Sequence, residues 1–172
     1  MYKRLGVVAL VLALALMIAV PAAMARGPAP RATGSVWLDP TSHDDGGYVR
    51  YLEFDAHGPR GNRPIKGHLY WYQSREGHTF EHRINIDDAR FEGELTPLLI
   101  PIPEGCAFFS GIAYDGPNSG LRLCIFACDV GTPGAAGDWL MALWSKPDTG
   151  EFVGDLWRYD VVSGNLVVHT YD

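Results

Sequence analysis

The chain has 172 residues and carries 14 Lys and Arg against 20 Asp and Glu, a formal net charge of −6. That length suits one domain with a real core, and an acidic surface repels phosphate backbones, which argues against a nucleic-acid partner. Twenty glycines and twelve prolines argue against a helical bundle.

Residues 1–25 have the form of a secretory signal peptide. Lys3 and Arg4 precede the apolar run Leu5 to Val20, Pro21 breaks it, and Ala23-Met24-Ala25 offers the small-x-small cleavage site. The run is shorter than the roughly 20 residues of a lasting anchor. The expectation is therefore a secreted or periplasmic protein with no membrane span once the signal is removed, the alternative being an uncleaved N-terminal anchor. Residues 26–33 (RGPAPRAT) read as a flexible tether, and the β domain is placed at 34–172.

Strand signals follow at regular spacing. SVWL is a short first strand, and DPTSHDDGG a polar turn that departs from a calcium-binding EF-hand, with His43 at a ligand position and no closing glutamate. Leu52, Phe54 and Ala56 alternate with Glu53 and Asp55, the period of a half-buried strand. A Gly/Pro loop leads to the aromatic strand KGHLYWYQ. Phe80, His82, Ile84 and Ile86 then alternate with polar residues, making 66–87 a hairpin. The stretch LTPLLIPIP holds Pro97, Pro101 and Pro103, which exclude a central strand, so it reads as an edge segment or covering loop.

Residues 106–145 organise the rest: CAFFSGIAY, a turn, LRLCIFACDV, a glycine loop, and WLMALWS. Strands at Phe152 to Asp160 and Asn165 to Thr170 follow, with a turn expected at Ser163-Gly164. No window has a sustained helical period. The fold predicted is a single antiparallel all-β domain of about eight strands, either a barrel or a sandwich, since both produce the same alternation.

If the first hairpin of that region turns near Pro117, Cys106 faces Cys128, Phe108 faces Phe126, and Ser110 faces Cys124. An oxidising compartment permits a disulfide, and Cys106–Cys128 is the expected one. The alternatives are pairings of Cys124, or three buried thiols acting as small hydrophobes.

Three sets of residues are candidate sites. Asp129 and Asp138 bracket a glycine-rich loop, a mix of carboxylate and backbone oxygens that suits calcium; otherwise each carboxylate holds backbone amides of the turn. The expectation is no cofactor, with calcium at this loop as the alternative. His68, His78, Glu81 and His82 share one hairpin and carry zinc-ligand chemistry, but Glu81 and His82 point to opposite faces of a strand, and His82 shares the apolar face. Trp71, with Tyr70 and Tyr72, is the candidate ligand-binding set, together with Trp139, Trp144, Trp157 and Tyr159. Aromatic rings either stack on a carbohydrate or apolar ligand or simply fill a core. No nucleophile-base pattern, P-loop or dinucleotide fingerprint is present.

Several short motifs, in order, resemble the small secreted β domain family called post-COAP. They are Phe54-Asp55-Ala56, Gly67-His68-Leu69-Tyr70, Asp129 with Gly131-Thr132-Pro133-Gly134 and Gly137-Asp138, and Gly164-Asn165 leading through Leu166 to His169. LTPLLIPIP looks like an insertion against that pattern. The resemblance covers roughly residues 34–172; it implies the fold and export, and transfers no catalytic residue. The function expected is an exported, non-enzymatic binding or accessory domain with a protein or carbohydrate partner. The alternatives are a small apolar-ligand carrier with a barrel cavity and a secreted hydrolase.

Overall fold

A computed structural model describes residues 29–41, 47–59, 64–95, 100–130 and 137–170. The signal segment, residues 26–28 of the tether, residues 96–99 with Pro97, the loop 131–136 and His43 with its acidic neighbours lie outside the described residues. The strands are β1 (Arg31–Leu38), β2 (Val49–His57), β3 (Lys66–Arg75), β4 (His78–Arg90), the short β5 (Glu94–Leu95) and β6 (Ile100–Pro101), β7 (Cys106–Asp115), β8 (Arg122–Cys128), β9 (Trp139–Ser145) and β10 (Phe152–His169). Eight of them close an antiparallel barrel in the order β1-β10-β9-β8-β7-β4-β3-β2, with β5 and β6 as a separate two-stranded arm. The sequence left barrel and sandwich open; the pairing of β1 with β10 decides for the barrel.

An eight-stranded barrel has an interior just wide enough for side chains to fill. The alternation of the sequence supplies them. Leu52, Phe54 and Ala56 of β2 and Ile84 and Ile86 of β4 point inward and are buried, as their period requires. At the centre Phe54 stacks on Phe109 with centroids 4.7 Å apart. Gly34 of β1 lies opposite Phe54, and a Cβ there would sit 2.2 Å from Phe54 Cε1, so the missing side chain is the space the ring occupies.

Three local readings change. β1 begins at Arg31, inside the segment read as tether, because Arg31 to Thr33 pair with both β2 and β10. β4 runs on past Asp87 to Arg90. A bulge between Ile86 and Asp88 breaks the period of two, then Ala89 and Phe91 return to the buried interior. The turn expected at Ser163-Gly164 is continuous strand within the 18-residue β10: both residues pair with β1, and the bulge falls beside them at Val162. Gly164 adopts φ 104°, and a Cβ there would meet Ser35 O at 2.1 Å. A glycine within a strand marks a close approach of a neighbouring backbone as readily as a turn between strands.

The hairpin of β7 and β8 has the predicted register, with Cys106 opposite Cys128, Phe108 opposite Phe126 and Ser110 opposite Cys124. Cys106 and Cys128 form a disulfide, their Cα atoms 4.1 Å apart. It lies on the outside of the barrel, in a small second cluster with Ile102, Phe126, Phe108, Trp139 and Met141.

Candidate functional site

One end of the barrel is closed by apolar side chains only in part. At the start of β2, Tyr48 and Arg50 have the inward parity of Leu52 and Phe54. Across from them β3 sends in Trp71 and Gln73, β9 sends in Trp144, and β10 sends in Trp157 and Tyr159. These residues, with Asn118 of the β7–β8 turn, line a mouth pocket of about 270 Å3, just under the range typical of ligand sites.

Each wall group is held by its neighbours. Arg50 is 4 % exposed. Its guanidinium lies over the rings of Tyr48 (5.2 Å) and Tyr159 (5.0 Å) and donates to the Tyr48 carbonyl at 3.3 Å. Cation–ring contacts of this kind gain strength when desolvated. Trp71 packs edge-on to Tyr159 at 5.9 Å and donates from Nε1 to Gln73 Oε1 at 3.3 Å. That bond orients the Gln73 amide. Below Trp144 lies His82, buried to 1 %, with ring centroids 5.0 Å apart. Burial, its largest influence, lowers the His82 pKa; the Asp115 backbone and carboxylate pull the other way and do not prevail. Tilted against Trp144, the imidazole is neutral at pH 7.

The sequence-predicted residues divide. Trp71 is inside and lines the pocket, whereas Tyr70 and Tyr72 alternate to the outer face of β3 and are only partly buried. Trp139 is also outside, against Phe126 at 5.8 Å. The imidazole set is dispersed: His82 is interior, while His68, His78 and Glu81 are exposed. Among the described residues no three His, Cys, Asp or Glu side chains converge.

At the opposite end, Asp138 is 1 % exposed. Its Oδ1 accepts the Val130 N–H at 3.0 Å and its carbonyl accepts the Val161 N–H. Asp129 accepts the Val168 N–H through Oδ2 at 3.3 Å. The two carboxylates expected around calcium thus bind backbone amides that tie β8, β9 and β10 together. Burial raises the Asp138 pKa, more than the Val130 bond lowers it. Cys124 keeps its thiol. Burial pushes its pKa up despite Ser145 and Arg122 nearby, so it is a poor nucleophile at neutral pH.

Sequence reasoning missed Arg50, Tyr48, Gln73 and Asn118. The signal for two of them was present: counting back by twos from Leu52 places Arg50 and Tyr48 inside the barrel. No known protein family, no curated protein and no solved structure matches this chain. Fold and pocket together define an eight-stranded antiparallel barrel with a packed centre and an aromatic mouth that contains a buried arginine.

Proposed function

We propose that the domain is an exported, non-enzymatic binding module whose mouth pocket takes a small ring-bearing ligand, neutral or with one carboxylate. The carrying observation is Arg50: a buried guanidinium that lies over two tyrosine rings in the wall of a pocket lined by three tryptophans. An arginine fork presents paired donors to a carboxylate. Trp71, Trp144 and Trp157 supply flat faces, and Gln73 and Asn118 supply amides. These groups hold and orient a ligand; they do not make a nucleophile and its base.

The pocket volume favours a ligand of one or two rings. The packed centre favours a mouth site over the deep cavity of an apolar-ligand carrier. The Cys106–Cys128 bridge is consistent with an oxidising compartment, which supports export. The order of motifs supports kinship with the post-COAP domains.

Intrinsic tryptophan fluorescence and melting temperature would be followed with panels of neutral sugars, uronic acids and aromatic carboxylates. Binding by at least one panel, lost in Trp157→Ala and shifted away from carboxylates in Arg50→Gln, is the expected result. A response undiminished by both substitutions, or no response to any panel, would sink the reading.

A further inference from the structure

We propose that the outer face of β1, β2 and β3 is a second binding surface, a platform for the ring faces of an uncharged polysaccharide. It lies across the barrel wall from the mouth pocket and does not depend on it. Trp37, Tyr51 and Tyr72 stand directly opposite one another on three successive strands. Tyr70 completes the patch on the diagonal. The centroids of Trp37 and Tyr51 are 5.0 Å apart, and those of Tyr51 and Tyr70 6.5 Å. The outward positions of the adjoining strand β4, Glu81, Arg83 and Asn85, are polar and exposed. Trp37 nevertheless leaves 42 % of its surface in water.

The chemistry of the rim selects the occupant. Ser35 Oγ and the Tyr51 hydroxyl are 2.7 Å apart, and Tyr51 donates to Glu53 Oε2 at 3.3 Å. Burial and the neighbouring Glu81 push the Tyr70 pKa up, so its hydroxyl stays protonated and able to donate. Flat rings with hydroxyl and carboxylate groups at their edges match a pyranose, which has an apolar C–H face and a hydroxyl rim. Glu53 and Glu81 flank the rings on a chain of net charge −6, which disfavours nucleic acid and anionic polymers. A lipid surface would ask for a broad aliphatic patch and an unneutralised basic border; here the rings are edged by hydroxyl groups, Val49 is the exposed aliphatic residue of β2, and the neighbouring Arg31 and Arg83 are each paired with a carboxylate, Asp55 and Asp115. Three rings on three strands extend over about 10 Å at the usual strand spacing. That length suits successive units of a chain rather than one sugar.

The test is co-sedimentation of the mature protein with cellulose and chitin, and affinity electrophoresis in gels containing an uncharged soluble glucan. Alginate and anionic vesicles serve as comparisons. Wild type is expected to bind at least one neutral polysaccharide. Trp37→Ala and, separately, Tyr51→Ala should weaken that binding tenfold or more, while Trp157→Ala at the mouth leaves it unchanged. Trp37 is exposed, so its variant is expected to melt like wild type, which separates lost binding from lost folding. No binding to any neutral polysaccharide, binding that survives both substitutions, or binding confined to alginate or vesicles would overturn the proposal.

Discussion

His82 illustrates how one buried side chain sets a pH dependence. The folded protein disfavours its protonation, whereas in the unfolded chain the imidazole titrates near 6.5. As pH falls below that value the unfolded chain takes up the proton first. Stability associated with His82 is therefore complete above about pH 6.5 and is lost as pH falls toward the depressed folded value. Asp138 acts in the opposite sense in the acid range, since its raised pKa makes protonation favour the folded state. Melting temperatures measured from pH 7.5 to 5 should fall for wild type, and the difference between wild type and His82→Phe should shrink steadily with acid. A parallel pair of curves would refute the assignment. Gly34 gives a second test at this scale. A methyl group there would strike Phe54, whose ring is already stacked on Phe109. Gly34→Ala should cost about 1–3 kcal/mol in urea unfolding, and Phe54→Leu in the same chain should recover part of that loss. Legibility at this scale follows parity. Leu52, Ile84 and His82 were placed inside by the period of two, and the same count would have placed Arg50. The division of Trp71 from Tyr70 and Tyr72 was equally implicit, because neighbours in a strand face opposite ways.

Among the elements, the β7–β8 hairpin was the most legible, since its turn residues and matched apolar pairs specify a single register. The consequence is the Cys106–Cys128 bridge, which spans 22 residues of sequence. A loop of that size, cross-linked, stabilises by about 3 kcal/mol in the chain-entropy account. Replacing both cysteines with serine should lower the unfolding free energy by roughly 2–4 kcal/mol, read from chemical denaturation. An unchanged midpoint would mean that the outer cluster of Ile102, Phe126 and Trp139 holds this edge without the covalent link. The less legible elements are those where a bulge interrupts the period. Asp87 falls between two paired residues of β4 and turns outward to Arg122, and Val162 does the same in β10 opposite the step from Trp37 to Leu38. A bulge inserts one residue and shifts the phase of everything after it. Local sequence therefore reads as the end of a strand where the strand in fact continues.

For the whole molecule, closure is the property that no local pattern encodes. It rests on β10, whose first half pairs with β9 and whose second half pairs with β1. Closure leaves no open sheet edge among the eight barrel strands, and it turns both faces of every strand to separate use: core and mouth within, aromatic platform and disulfide cluster without. The proposed export joins that architecture to the cysteine count. The bridge is nearly inaccessible, with Cys106 5 % and Cys128 2 % exposed, so in an oxidised protein it is shielded from small reductants. Cys124 is half-buried with a raised pKa and should react sluggishly while the barrel is folded. Alkylation followed by mass measurement should then find one reactive cysteine in protein recovered from the exported fraction, and that one labelled fully only after unfolding. The same chain produced without residues 1–25 in a reducing cytosol should label at all three. A single labelled cysteine in the cytosolic form would mean that the strand register alone suffices to close the bridge, and would remove the disulfide as support for export. Three labelled cysteines in the exported form would remove it as a feature of the mature protein.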